Sequence, residues 1–132
     1  MSEFPPVAHL AVTVGDLSIS VPWYEQLFGS KPVDDHDFGP FRHVVFMLPD
    51  GFIYSLHQFS KNSAVPGAAD ERHAGIDHLA FRVPDRESLE RWAERLDELG
   101  IEHGKIVDAY YGSGLAFRDP DNIQLEFFAP PG

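Results

Sequence analysis

The sequence has no cysteine among its 132 residues. Disulfides and thiolate ligands are therefore excluded, and any bound metal would need nitrogen and oxygen donors. No apolar run approaches the roughly 20 residues that a membrane-spanning helix requires. The first residues include Glu3 and two prolines where a signal peptide would have a basic and then an apolar segment. These absences favour a cytoplasmic protein.

Basic residues are scarce and scattered, with 10 Lys and Arg against 21 Asp and Glu, which gives a formal net charge of −11. Such a surface repels nucleic acid and anionic lipid, so we expect neither partner. The charge would keep the protein soluble, and it would also attract a cationic ligand. Because 43% of the residues are hydrophobic, the chain can form a packed interior, and we expect a single domain spanning residues 1–132.

The chain contains an internal duplication. A shift of 69 residues aligns HLAVTVGDLSISVPWYEQLFG, which begins at His9, with HLAFRVPDRESLERWAERLDELG, which begins at His78. Two inserted residues then change the offset to 71, so that Phe46 aligns with Phe117 and Asp50 with Asp121. The repeat predicts two modules, at about residues 5–60 and 76–129, joined by a linker over residues 61–75.

Each module has the pattern of a strand, a helix and three shorter strands. Alternating apolar residues predict first strands at Val7–Val14 and Ile76–Val83. Asp85 is the expected N-cap of the second helix, and Gly29 and Gly100 end the two helices. The later strands are predicted at Lys31–Asp35, Arg42–Leu48, Phe52–Phe59, Glu102–Val107, Gly114–Arg118 and Ile123–Phe128.

Pro22 influences the predicted start of the first helix. Proline is harmless only in the first turn, where its missing N–H has no partner, so Ser18 is preferred to Asp16 as the N-cap. The element order predicts an α+β fold of two βαβββ modules in pseudo-twofold repeat. Two curved mixed sheets would enclose a metal or ligand cavity, with the helices outside.

Two histidines and a glutamate have the pattern of a metal site. His9 and His78 are equivalent in the repeat and lie on the strand face opposite the apolar residues. Glu126 lies in an apolar last strand, where a carboxylate is costly to bury without a cation or hydrogen-bond donors. Two imidazoles and a carboxylate suit a divalent ion with open coordination positions. A structural, hydrogen-bonded role is more usual for a lone strand histidine, but the matched pair favours the metal site.

These residues resemble a known family. The HLAVTV and HLAFRV strands, the FRDPDNIQLEFF ending and the duplicated βαβββ pattern are similar to the vicinal oxygen chelate superfamily. It includes glyoxalase I, methylmalonyl-CoA epimerase, extradiol dioxygenases, fosfomycin-resistance enzymes and bleomycin-resistance proteins. The resemblance covers nearly the whole chain, and it places His9, His78 and Glu126 at three of the four usual ligand positions. It implies a divalent metal (Fe(II), Mn(II), Ni(II), Co(II) or Zn(II)) acting as a Lewis acid on two adjacent substrate oxygens.

The fourth ligand position departs from the family pattern. Offset 71 places Ser55 there, where glyoxalase-like members have a carboxylate or amide, and His57 follows two residues later on the same face. The departure argues against the glyoxalase I reaction, and no acid–base pair of the extradiol dioxygenases is evident. A metal-dependent lyase or isomerase and an extradiol-type dioxygenase both remain open, with His57, His43 and Tyr111 as candidates for the general base. His36, His73 and His103 fall in predicted loops or at strand starts, as His43 also does.

Two alternatives remain open beside the metalloenzyme. One is a metal-free, bleomycin-resistance-like protein that binds a drug or metabolite, since the negative charge and the aromatic residues suit a cationic aromatic ligand. The other is a non-catalytic dimeric scaffold with a relic site. Retention of the His, His and Glu set favours the enzyme. We also expect a homodimer, because each curved half-sheet needs a partner, with the site formed within one chain or across two.

Overall fold

A computed structural model describes residues 3–132. The chain divides into two compact units, with the boundary between Gly67 and Ala68. Each unit has one helix and one four-stranded mixed sheet in the order βαβββ, which confirms the duplicated α+β fold. Within residues 3–132, no helix is long and apolar enough to cross a membrane.

The two units have the same strand order. The first unit contains β1 (His9–Thr13), α1 (Leu17–Phe28), β2 (Asp34–Asp37), β3 (Phe41–Met47) and β4 (Ile53–Phe59). The second contains β5 (Leu79–Arg82), α2 (Arg86–Glu98), β6 (Val107–Ala109), β7 (Gly112–Arg118) and β8 (Gln124–Ala129). The sheet orders are β1-β4-β3-β2 and β5-β8-β7-β6. In each sheet the first strand is parallel to the last strand, and the other pairs are antiparallel.

Each helix covers one face of its own sheet, and His9, Ser55 and Glu126 lie on the opposite faces. In the first unit, Tyr24 of α1 packs on Tyr54 of β4 with ring centroids 5.2 Å apart, and both side chains are fully buried. In the second unit, Trp92 of α2 stacks on Phe127 of β8 with centroids 4.2 Å apart. Burial of these aromatic rings contributes to the hydrophobic stabilisation of each unit.

The first helix begins earlier than the proline suggested, so the prediction of Ser18 as N-cap is wrong. Asp16 has an extended backbone, and its side chain accepts hydrogen bonds from the Ser18 backbone N–H and hydroxyl. A carboxylate cap binds an otherwise unpartnered N–H of the first turn, which favours this start. Pro22 therefore lies inside the helix, where it removes one intrahelical hydrogen bond to the Ser18 carbonyl. The predicted Asp85 cap and Gly29 end are confirmed.

Two short edge strands lie later in the chain than their apolar residues suggested. The predicted strand Lys31–Asp35 is found at Asp34–Asp37, because that segment pairs with β3. The predicted strand Glu102–Val107 is found at Val107–Ala109, where it pairs with β7, and His103 forms only an isolated bridge with Phe117. At an exposed edge the pairing partner, and not the hydrophobic pattern, decides which residues form the strand.

Residues 61–75 contain neither helix nor strand, but their second half is attached to the second unit. The Ala69 N–H donates to the Asp121 carbonyl, and the Asn122 side chain donates to the Ala69 carbonyl. Arg118 donates two hydrogen bonds to Glu71 and thereby lowers the pKa of that carboxyl to about 2. This part of the segment is therefore ordered against the turn that precedes β8.

Candidate metal centre

His78 is oriented by a carboxylate next to it in the sequence. It immediately precedes β5, and its Nδ1 lies 2.7 Å from Asp77 Oδ1. Gln124 of β8 donates to the same oxygen of Asp77 at 2.9 Å. A carboxylate oxygen only accepts, so Nδ1 is the donor to Asp77 and Nε2 is the ring nitrogen left to face a metal. Carboxylates bonded to the second ring nitrogen are typical of metal-binding histidines.

Glu126 lies beside His78 on the face of the sheet opposite α2. Burial alternates along β8, with Leu125 and Phe127 buried and Glu126 half-buried between them, as the sequence predicts. Glu126 Oε2 is 3.9 Å from His78 Nε2. That distance is too long for a hydrogen bond, but one ion about 2.1 Å from each atom could contact both. The two donor types suit a divalent cation.

His9 belongs to the other unit. It is the first residue of β1, is exposed, and lies on the face opposite α1. Within residues 3–132, no three His, Asp or Glu side chains form a group that could hold a metal ion. The pair His78 and Glu126 is therefore the part of the expected ligand set that one unit assembles by itself.

Ser55 occupies the position in the first sheet that Glu126 occupies in the second. Ala11 of β1 pairs with Ser55, and its repeat-mate Ala80 of β5 pairs with Glu126. The two strand pairings are therefore equivalent, as the offset found in the sequence predicts. Ser55 is buried on this face and offers only a hydroxyl, which is a poor ligand.

His57 is part of a row of three histidines across adjacent strands. It pairs with His43 of β3, which pairs with His36 of β2, so His36 lies in a strand although the predicted strand ended at Asp35. The ring centroids are 5.9 Å apart for His43 and His57, and 6.5 Å apart for His36 and His43. The sequence shows no signal for this row, because it depends on the register between strands.

The environment of the row keeps His57 neutral. Phe41 stacks on the His57 ring with centroids 4.8 Å apart. Burial, followed by the charge of His43, lowers the pKa of His57 below its ordinary value of 6.5. His43 is itself held by Asp34, whose Oδ2 lies 3.1 Å from His43 Nε2. A neutral imidazole at pH 7 can accept a proton.

Tyr111, the third candidate for the base, lies in the turn between β6 and β7. Its side chain is exposed, and its ring is nearly parallel to that of Phe128, with centroids 6.4 Å apart. Phe128 follows Glu126 by two residues and shares its face. Tyr111 is therefore at the end of this face, beyond Phe128.

Residues 7–127 match the sequence profile of the Glyoxalase/Bleomycin resistance protein/Dioxygenase superfamily. The chain belongs to this superfamily. The crystal structure of a glyoxylase/bleomycin resistance protein/dioxygenase domain from Frankia sp. EAN1pec is similar, with a TM-score of 0.86 and 30% identity. The match covers 98% of this chain and 100% of the Frankia chain.

Two curated proteins are similar to this chain in sequence. The metallothiol transferase FosB of Bacillus licheniformis is 26% identical over 122 residues, which are 91% of this chain and 72% of FosB. The putative ring-cleaving dioxygenase MhqA of Bacillus subtilis is 39% identical over 51 residues, which are 39% of this chain and only 16% of MhqA. In fold, the chain is also similar to FosX from Listeria monocytogenes complexed with Mn(II) and sulfate ion. That match has a TM-score of 0.71 and 20% identity, and it covers 98% of this chain and 95% of FosX.

Proposed function

We propose that this protein is a metal-dependent enzyme that acts on a small molecule with two adjacent oxygen atoms. The divalent ion is bound by His78, Glu126 and His9. The observation that carries this proposal is the His78–Glu126 pair, whose facing Nε2 and Oε2 atoms are 3.9 Å apart while Asp77 holds the other ring nitrogen.

The relatives support a metal-dependent function for this chain. FosB is named a metallothiol transferase, and the FosX structure contains Mn(II). A divalent ion bound here would act as a Lewis acid toward the substrate oxygens. With nitrogen and oxygen donors only, the ion is Mn(II), Fe(II), Co(II), Ni(II) or Zn(II).

In this proposal, residues on the face of the first sheet opposite α1 provide the general base and leave one coordination position open. Ser55 leaves the fourth ligand position to water or substrate. His57 accepts the substrate proton, because burial lowers its pKa and keeps the ring neutral. His43 lies beside it and is oriented by Asp34. Oxygen uptake during turnover separates the two candidate reactions, since a ring-cleaving dioxygenase consumes oxygen and a lyase or isomerase does not.

Metal analysis tests the proposed ligands. Protein purified without chelator should contain about one divalent ion per chain, and His9→Ala, His78→Ala and Glu126→Ala should each lose it. His73→Ala, which removes an exposed loop imidazole, is the matched control and should retain the ion. Equal metal content in all five proteins would contradict the assignment. A wild-type protein that binds no metal even with added Mn(II) would favour the metal-free, drug- or metabolite-binding alternative.

We also propose that the protein is a homodimer, and two measurements test this. Light scattering at micromolar concentration should give twice the chain mass, and a monomer would contradict the proposal. Mixing His9→Ala with His78→Ala chains then locates the ligands. If each site takes His9 from one chain and His78 from the other, the mixed dimer regains one intact site. If each site lies within one chain, the mixture regains none.

A further inference from the structure

Gly114 lies under the carboxylate of Glu126. It is on β7 opposite Phe128, and therefore diagonal to Glu126 on the neighbouring strand. A Cβ atom added at Gly114 would lie 3.0 Å from Glu126 Oε1 and 3.1 Å from Glu126 Cδ. Ordinary van der Waals contact for such an atom is 3.4–4 Å, so the carboxylate occupies space that any other residue's side chain would need.

The backbone does not require glycine at this position. Gly112, two residues earlier, has a φ of 145°, which other residues rarely adopt, whereas Gly114 has no such positive φ. Glycine inside a strand weakens the strand, because it adds conformational entropy and has no side chain to pack. The close approach of the Glu126 carboxylate is the feature that the missing side chain makes possible.

The Glu126 carboxylate thus lies between Gly114 and His78. Its Oε1 lies against Gly114 on the β7 side, and its Oε2 faces His78, which precedes β5 on the other side of β8. We propose that Gly114 is a positioning residue for the metal centre, because it allows the Glu126 carboxylate to pack against β7 with Oε2 directed at the proposed ion. This inference rests on the proposed function, since it assigns a role within the same site.

A methyl group at position 114 would move the carboxylate by a few tenths of an ångström. Metal–ligand distances tolerate changes of only about 0.2 Å, so the shift weakens coordination without removing a ligand. We expect roughly a tenfold loss of metal affinity, at the lower end of the range for substitutions that disturb a ligand's support.

Mn(II) titration of the purified protein tests the inference. Gly114→Ala should raise the Kd for Mn(II) about tenfold. Gly104→Ala is the matched control, since its added Cβ would lie 3.7 Å from the Ala116 carbonyl oxygen, an ordinary contact, and its Kd should stay at the wild-type value. The inference is overturned if Gly114→Ala binds Mn(II) like wild type while Glu126→Ala does not bind it.

A second comparison separates positioning from general damage to the strand. Aspartate is one methylene shorter than glutamate and would not reach the added methyl group. Adding Gly114→Ala to Glu126→Asp should therefore cause no further loss of Mn(II) affinity. An equal loss in both backgrounds would overturn the inference. If Gly114→Ala alone fails to fold, the double variant should fold, and failure of both would also overturn it.

A crystal structure of metal-free Gly114→Ala tests the inference independently of the proposed function. The distance between Glu126 Oε2 and His78 Nε2 should differ from the wild-type 3.9 Å, because the added methyl group displaces the carboxylate. An unchanged distance would overturn the positioning role. If wild-type protein binds no Mn(II) but the distance still changes in Gly114→Ala, the positioning role stands and the proposed metal function fails.

Discussion

His78 Nε2 and Glu126 Oε2 face each other at 3.9 Å, which is too long for a direct hydrogen bond. The two residues are 48 positions apart in the chain and are brought together because β5 lies parallel to β8. Asp77 and Gln124 fix the imidazole in this orientation. The orientation of the pair therefore depends on these neighbouring side chains.

Asp77→Asn should weaken Mn(II) binding by about 10–100-fold, as is usual when the partner of a ligating histidine is changed. The uncharged amide stabilises the His78 ring less well than the carboxylate that now lies 2.7 Å from Nδ1. Isothermal titration calorimetry measures the change. Asp37→Asn removes an exposed carboxylate that accepts from the Gly39 N–H, and it should have no effect. Equal affinity in the two variants would show that Asp77 does not support the site.

Ser55→Glu should tighten Mn(II) binding, because it places a carboxylate at the register position equivalent to Glu126. His57→Ala should leave metal content nearly unchanged, since His57 lies two residues or roughly 6.6 Å further along β4. Metal content and Mn(II) Kd measure both effects. If His57→Ala loses the metal instead, then His57 is the fourth ligand and the fourth coordination position is not open to water or substrate.

Tyr54→Phe should lower the free energy of unfolding by about 1 kcal/mol. The Tyr54 hydroxyl donates to the Tyr24 hydroxyl at 3.0 Å in the core of the first unit, and both side chains are fully buried. Urea denaturation measures the loss. Tyr110→Phe removes the hydroxyl of an exposed tyrosine and should change stability by less than about 0.5 kcal/mol. Equal effects of the two substitutions would mean that the buried hydrogen bond adds nothing to stability.

His103→Gln should destabilise the protein more at pH 5.5 than at pH 9. His103 Nδ1 lies 2.8 Å from the Gly104 carbonyl and Nε2 lies 2.8 Å from Asp97 Oδ1, so only the protonated ring donates to both. The Gly104 carbonyl and then Asp97 raise the pKa of His103 above 6.5. A raised pKa contributes stability that is fully present below the unfolded value and is lost as pH rises through the folded value. Urea denaturation at both pH values checks this, and an equal cost would contradict it.

His57 should have the opposite pH dependence. Burial, and then the charge of His43, lowers its pKa below 6.5 in the folded state, so the unfolded chain binds the proton more readily. Stability from this residue is therefore present above pH 6.5 and is lost as pH falls toward the lower folded pKa. His57→Gln should reduce the loss of stability between pH 7 and pH 5, whereas His73→Gln should not. An unchanged acid dependence in His57→Gln would contradict the interpretation.

Much of the fold could be predicted from the amino-acid pattern. The duplication is visible as an offset of 69 and then 71 residues, and it already places Ser55 at the position equivalent to Glu126 because repeated modules keep the same register. The alternating burial of β8 follows from its sequence for the same local reason. Boundaries were less predictable, since Asp16 caps the first helix despite Pro22, and β2 and β6 form where β3 and β7 pair with them.

The candidate site was also only partly predictable from the sequence. His78 and Glu126 were predictable as residue types at repeat positions, and so was the departure at Ser55. The row from His36 to His57 and the space above Gly114 were not, because each depends on which side chains on neighbouring strands face one another. Periodicity within a segment determines which face a residue occupies. Only the pairing of strands far apart in the chain determines what that residue contacts, because the contact distances are set across the sheet and not along the sequence.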